Sequence, residues 1–255
     1  MSTTGFPATL WVVRHGQSAG NVARDAAEAQ GLHVIDIATR DIDVPLSELG
    51  RNQSISLGHW FGTLGHDALP QIVLCSPYVR AVETAQLLLE SAGLKGHAKL
   101  RLDERLREKE FGILDRLTTT GIRQKYPELS EQRRHVGKFY FRPPGGESWC
   151  DVILRLRSLL EMTTREYSGC RVLVVAHQVI VNCMRYLIEQ LDEARILGMD
   201  RLADVPNCGV TSYRRAEDDE GREMLALDLA NFVAPLLAEG TPVTVAPDQP
   251  VAHKP

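Results

Sequence analysis

The sequence predicts an α/β fold built on a mostly parallel β-sheet with helices over both faces, and three observations carry that prediction. First, three short apolar, β-branched runs read as buried strands: Leu10-Trp11-Val12-Val13, Gln71-Ile72-Val73-Leu74-Cys75 and Arg171-Val172-Leu173-Val174-Val175-Ala176. Second, each run stops at a polar loop, namely Arg14-His15-Gly16, Ser76-Pro77 and His177-Gln178. Third, helical apolar spacing returns after each loop, and alternating strands and helices are what parallel pairing requires.

In chain order, the strand ending at Arg14 leads into the Ala-rich stretch 21–30, enough for a turn or two of helix. Residues 31–43 show no assignable pattern. Pro45-Leu46-Ser47-Glu48-Leu49-Gly50 opens the next helix with Ser47 as cap, and Ile55, Leu57, Trp60, Phe61 and Leu64 form its apolar face. Beyond the strand ending at Cys75, a helix runs from about Val79 to Glu90, with Arg80 in its first turn. Leu100 to Asp103 reads as a short strand, and Arg105 to Gly112 as a charged turn.

Residues 117–149 resemble an insertion rather than a sheet unit. They carry Arg123, Arg133, Arg134, His135, Lys138 and Arg142 among Phe139, Tyr140 and Phe141, and end in the loop Pro143-Pro144-Gly145-Gly146. Glu147-Ser148 starts a helix with Val152, Leu156, Leu159 and Leu160 at helical spacing, closed near Gly169. The strand ending at Ala176 delivers His177-Gln178 and then an apolar, partly helical segment to Leu191. Val205–Tyr213 and Met224–Leu229 read as late strands joined across 216–221. The composition places one domain at 1–235 and a disordered tail at 236–255.

Composition narrows the function. The 255 residues carry 44% hydrophobic and 24% charged residues and a net charge of −4. Those values suit a globular protein and give no global affinity for nucleic acid or an anionic membrane. Any anionic ligand must therefore meet a local cluster of cations. Cys75, Cys150, Cys170, Cys183 and Cys208 are odd in number and scattered, which fits free thiols in a reducing compartment. The first residues lack the basic start and long apolar core of a signal peptide, so a cytoplasmic setting is expected. The oligomeric state is not legible.

Cations and imidazoles stand where open α/β sheets place ligands, at the carboxyl ends of strands. Arg14 offers a planar fork suited to phosphate, and His15 a nucleophilic nitrogen. Gly16 permits close backbone approach to a ligand, while Gln17, Ser18 and Asn21 supply donors. Arg80 repeats the pattern of strand, loop and cation, and opposes the local helix dipole. Taken singly, each has a bland reading: a helix-start arginine is ordinarily solvated, and a strand-end histidine is ordinarily structural. Together, two histidines and two arginines can converge on one phosphoryl group. Glu108 is the candidate acid for a departing alkoxide, and the scheme requires no metal or other cofactor.

These residues resemble the histidine phosphatase superfamily, also called the phosphoglycerate mutase-like family. The resemblance rests on Arg14-His15-Gly16-Gln17-Ser18 with Asn21, Pro45 to Gly50, and Ser76-Pro77 with Arg80 and Thr84-Ala85. Glu108 before Phe111-Gly112, Gly145-Gly146-Glu147-Ser148 and Val175-Ala176-His177 extend it in the family's order to about Tyr213. It implies a three-layer α/β/α sandwich with the 117–149 insertion over the site. It also implies His15 as the phosphorylated nucleophile, Glu108 as proton donor, and Arg14, Asn21, Arg80 and His177 around the phosphate.

Gln178, where many members have glycine, is similar to the fructose-2,6-bisphosphatase branch. That branch carries Arg134, Lys138, Arg142 and Gln178 onto substrate-binding positions, implying a substrate with a second anionic group. The branch's tyrosine near Thr119 and Thr120 is missing here, and no phosphate-binding kinase loop is present. The leading expectation is a metal-independent phosphatase of a small phosphorylated metabolite. A cofactor-dependent phosphoglycerate mutase uses the same phosphohistidine and is separated by an assay with 3-phosphoglycerate. A non-catalytic phospholigand-binding protein is separated by inertness toward an aryl phosphate.

Overall fold

The computed structural model describes residues 5–245. Six strands form one sheet: β1 (Thr9–Arg14), β2 (Ile72–Cys75), β3 (Lys99–Leu102), β4 (Arg171–Ala176), β5 (Val210–Glu217) and β6 (Glu223–Phe232), in the order β3-β2-β4-β1-β5-β6. The pairs among β3, β2, β4 and β1 are parallel, whereas β5 and β6 add an antiparallel hairpin beside β1. Alternation along the central strands explains why they read as continuous apolar runs. Leu10, Val12, Val172 and Val174 enter one core, while Trp11, Val13, Leu173 and Val175 enter the other.

The first of these cores is closed by α6 (Trp149–Glu166) and α7 (Gln178–Ile188), and the second by α2 (Glu48–Gly62) and α3 (Val79–Ser91). The result is the expected three-layer sandwich. The chain crosses one face on its way from β1 through β2 to β3, then returns over the other to insert β4 between β2 and β1. That reversal puts a crevice at the carboxyl ends of β1 and β4. Their register runs from Thr9 opposite Arg171 to Arg14 opposite Ala176, so His15 and His177 leave the sheet side by side.

Caps fall where the sequence places them. Ser47 accepts from the Gly50 amide at 3.0 Å to start α2, and Ser148 caps α6 in a reciprocal box with Asp151. The Ala-rich stretch is a full helix, α1 (Ala19–Ala29), longer than a turn or two because Ser18 and Asn21 close a capping box at its start. Residues 31–43 stay irregular apart from one turn at 41–43, held by tertiary pairing of Val34 with Leu117 and of the Ile35 amide with the Arg116 carbonyl at 2.8 Å.

The insertion folds as α4 (Thr119–Lys125) and α5 (Pro127–Val136) around a small core of Leu114, Leu117, Ile122, Leu129 and Phe141. It stands behind 31–35: the Thr118 amide donates to the His33 carbonyl at 3.1 Å. After α7 comes a further helix, α8 (Glu193–Leu202), which the apolar pattern does not announce.

The expectation of a disordered tail from Leu236 needs correction over its first ten residues. The short helix α9 (Ala234–Ala238) buries Leu236 completely in the second core, and the chain after it is hydrogen-bonded along α2. Pro235, Leu236 and Val243, with the hydrogen bonds to α2, dock a stretch whose composition reads as disordered. Residues 246–255 lie outside the described residues. Among the described residues, no helix is long and apolar enough to cross a membrane.

Candidate active site

His15 follows the last residue of β1 and is almost fully buried. Its Nδ1 lies 2.7 Å from the Gly16 carbonyl, an acceptor only, so Nδ1 carries the proton and Nε2 the lone pair. Arg80 Nε donates to that Nε2 at 3.3 Å, aiming the imidazole toward the cavity. Burial, then the Arg80 and Arg14 guanidiniums, hold the His15 pKa well below the ordinary histidine range. A neutral imidazole is the nucleophilic form, and its Nε2 lone pair, held in this structure by Arg80 Nε, becomes available when a phosphoryl group takes the place of that contact.

Gly16 is required for a different reason from the one its sequence context suggests. A Cβ there would sit 2.4 Å from the Gly50 carbonyl, and one at Gly50 would sit 2.0 Å from the Gln17 carbonyl. The two glycines let the nucleophile loop lie directly on the first turn of α2, rather than on a ligand. Gln17 is spent on the same contact, its side-chain oxygen accepting from Ser47 Oγ at 2.7 Å, and it does not line the cavity.

His177 caps β4 on the neighbouring strand, its ring centroid 5.1 Å from that of His15. Ser76 Oγ, at the end of β2, is 2.8 Å from His177 Nε2. The other nitrogen, Nδ1, is buried with no hydrogen-bond partner and stands 3.7 Å from Glu108 Oε2. Burial first, then Arg80 and His15, keep His177 well below the usual range as well. Glu108 comes from the loop after β3. Glu147 braces that loop by accepting from the Glu110 amide at 3.1 Å and from Arg107 at 2.7 Å, and Arg155 Nη2 donates to the Glu108 carbonyl at 3.4 Å. A Cβ at Gly112, where φ is +56°, would sit 2.1 Å from the Pro144 carbonyl, so this loop closes against 144–146 only with glycine there.

The cations arrive from two elements. Arg14 Nη1 donates to Gln178 Oε1 at 2.8 Å and to the Val205 carbonyl, while its Nε is buried without a partner. Burial pulls its pKa down to about 10, with Glu108 opposing and Arg24 assisting, so it stays cationic at neutral pH. Arg80 is nearly buried in the first turn of α3, and Asp41 accepts from Nη1 at 3.0 Å and Nη2 at 3.2 Å. Asp41 belongs to the irregular segment 31–43, where no local signal marks it.

One cavity gathers these groups: Arg14, His15, Ser18, Asn21, Arg80, Glu108 and Gln178 line it. Ser18 and Asn21 do so while completing the α1 cap, where the Ser18 amide donates to Asn21 Oδ1 at 2.9 Å. Gln178 lines the wall and also orients Arg14. Arg134, Lys138 and Arg142 do not line it, which corrects their expected role. Arg134 pairs with Glu131 on the surface, Arg142 pairs with Asp151, and Lys138 pairs with Asp200 at 2.8 Å and covers the Trp149 ring. Each has a carboxylate within reach: Glu131 in α5, Asp151 in α6 and Asp200 in α8.

The outer wall instead comes from Arg24 in α1 and from Ile35, Ile37, Val44, Phe111, Asp115 and Arg116. Arg24 stands one helical turn after Asn21, a spacing that puts both on one face and offers a usable signal. Arg116 has none: it adopts φ 59° and donates to the Thr39 carbonyl at 2.9 Å. Among the described residues, no three His, Cys, Asp or Glu side chains group as metal ligands. The arrangement can therefore seat a phosphoryl group between two guanidiniums, against a neutral imidazole, with a carboxyl group alongside.

Comparison with known proteins agrees with this geometry. The chain is 31% identical over 180 residues to a 6-phosphofructo-2-kinase/fructose-2,6-bisphosphatase of Caenorhabditis elegans, covering 70% of this chain but only 34% of that protein. It is 29% identical over 202 residues to a 2,3-bisphosphoglycerate-dependent phosphoglycerate mutase of Rhizobium meliloti, covering 78% of this chain and 87% of the mutase. Among solved structures, a mycobacterial glucosyl-3-phosphoglycerate phosphatase superposes with a TM-score of 0.66 at 26% identity, over 88% of this chain and 99% of the other. The model of the histidine phosphatase superfamily (branch 1) matches residues 10–227, and the chain belongs to that superfamily.

Proposed function

We propose that the protein is a metal-independent phosphatase that hydrolyses a small phosphorylated metabolite through a phosphohistidine at His15. The observation that carries this reading is the His15 tautomer: Nδ1 is committed to the Gly16 carbonyl, leaving Nε2 to attack between Arg14 and Arg80. In the first half-reaction Nε2 forms a bond to phosphorus as the ester P–O bond breaks. Glu108 gives its proton to the departing alkoxide. Arg14, Arg80, His177 and Asn21 hold the phosphoryl oxygens, where preorganised cations lower the cost of charge in transit. In the second half-reaction a water attacks phosphorus, Glu108 takes its proton, and the P–N bond breaks to return neutral His15 and phosphate.

Arg24 and Arg116 on the outer wall support a preference for substrates with a second anionic group, in place of the cations first expected there. Scattered cysteines that form no disulfide support a reducing, cytoplasmic setting, and the modest net charge of −4 supports a small-molecule partner over nucleic acid or membrane. Likeness to a mutase and to a phosphatase favours neither outcome for the phosphorylated intermediate. A panel of phosphorylated metabolites, assayed for phosphate release with a chelator present, tests the reading. Release from at least one at enzymatic rates is expected. Isomerisation of 3-phosphoglycerate without phosphate release would make the protein a mutase, and inertness even toward an aryl phosphate would make it a binding protein.

A further inference from the structure

One backbone group on each of three consecutive residues of the nucleophile loop is gripped by a side chain from a distant part of the chain. The His15 carbonyl accepts from Asn207 Nδ2 at 3.0 Å, the Gly16 amide donates to Thr84 Oγ1 at 3.0 Å, and the Gln17 amide donates to Gln53 Oε1 at 2.9 Å. Thr84 is secured within α3, its hydroxyl donating to the Arg80 carbonyl at 2.7 Å. The other two grips depend on terminal amides, which are useful only one way round. A flipped Asn207 would turn its oxygen on the His15 carbonyl, and a flipped Gln53 would turn its NH₂ on the Gln17 amide.

One hydroxyl links the two amides: it sets the Asn207 orientation and shares that of Gln53 with the Pro242 carbonyl. Gln53 Nε2 donates to Thr244 Oγ1 at 2.9 Å, and Thr244 Oγ1 donates in turn to Asn207 Oδ1 at 3.0 Å. The Thr244 carbonyl also accepts from the Asn207 amide at 2.9 Å, and the Pro242 carbonyl accepts from Gln53 Nε2 at 2.9 Å. Gln53 and Asn207 are both fully buried, so leaving either amide without a partner is costly. A threonine hydroxyl accepts from one amide and donates to the other at the same atom, which the isosteric valine side chain cannot do.

We propose that Thr244 is a positioning residue for His15, acting through Asn207 and Gln53. The proposal rests on His15 being the nucleophile. It gives the segment after α9 a function: a strap that crosses α2 and sets the tilt of the loop carrying the imidazole. Because small misplacements of a reacting atom are costly, the effect falls on turnover rather than on substrate affinity.

Three variants test it: Thr244→Val, which keeps shape and removes the hydroxyl; Thr244→Ser, which restores it; and a chain ending at Val245. Thr244→Val is expected to lose about tenfold in kcat toward an aryl phosphate, with KM changed less than about twofold. Thr244→Ser and the chain ending at Val245 should recover wild-type kcat within about twofold. The ¹⁵N imidazole resonances of His15 should shift in Thr244→Val, while those of the remote His66 stay put; this readout needs no turnover. Should Thr244→Val unfold, a chain ending at Thr241, which retains α9 but also lacks the Pro242 and Thr244 carbonyls, must show a kcat loss at least as large. Wild-type kcat and unshifted His15 resonances in Thr244→Val, or equal impairment of Thr244→Ser, would overturn the proposal. Turnover retained by His15→Ala would instead overturn the nucleophile assignment, leaving the resonance test of the strap intact.

Discussion

The two buried imidazoles make stability depend on pH in a way that can be worked out in advance. His15 and His177 are both held well below the ordinary range, chiefly by burial and then by neighbouring cations. In the unfolded chain each takes up a proton near pH ~6.5; in the folded protein each takes it up only at lower pH. The unfolded state therefore binds more protons as pH falls, so this share of stability is intact above pH ~6.5 and lost below it. For one such group the loss between pH ~7.5 and ~5.5 has a ceiling of about 1.4 kcal/mol, reached when the folded imidazole takes up no proton at all in that interval. Urea unfolding in phosphate-free buffer, at matched pH values for wild type and His177→Gln, measures it, since bound phosphate would stabilise the folded state by mass action. His177→Gln keeps a partner for Ser76 but cannot titrate, so its loss over that interval should be smaller than wild type's, by up to about 1.4 kcal/mol. Equal losses in the two proteins would mean that folded His177 titrates normally, and the electrostatic account of the site would fail.

Three further outcomes are expected. Glu108→Ala should slow hydrolysis of an alkyl phosphate by ~10²–10⁴-fold and that of p-nitrophenyl phosphate far less, because only a poor leaving group needs the proton; equal losses would assign Glu108 an electrostatic role. Arg116→Ala and Arg24→Ala should raise KM for a substrate bearing a second anion by the worth of a charge-assisted hydrogen bond, about 1.5–3 kcal/mol, and spare p-nitrophenyl phosphate, whereas Arg142→Ala should leave both substrates unchanged. Gly50→Ala places a methyl group 2.0 Å from the Gln17 carbonyl, so it should cost about 1–3 kcal/mol in a thermal or urea melt and depress kcat through the displaced loop; a neutral result would mean the loop has slack there.

Local signals made the central site legible. Strands buried on both faces leave uninterrupted apolar runs, and the residues that end them, Arg14-His15 and His177, are set side by side by register alone. Caps such as Ser47 and Ser148 are equally local. The outer wall is written differently. Asp41 and Arg116 sit in irregular backbone whose shape comes from pairing 31–35 with 116–118, more than 80 residues on, so nothing near either residue announces it. The insertion misled for the complementary reason: a dense basic stretch looks like an anion site until its carboxylates are known. Asp200, which takes Lys138, lies 62 residues further along. Thr244 is the extreme case. Its role depends on two amides contributed by α2 and by the loop before β5, neither close to it in sequence.

The central claim is that phosphoryl transfer passes through His15, and rapid quench with a ³²P-labelled substrate tests it most directly. Wild type should yield a transient phosphoprotein, labile to acid and stable to base, with the label on His15 after peptide mapping. It should form and decay at rates consistent with steady-state turnover. His15→Ala should show neither label nor turnover, while His177→Gln should form the label more slowly at the same residue. Label on any other residue, or turnover without a phosphoprotein on a substrate that the wild type hydrolyses, would contradict the account.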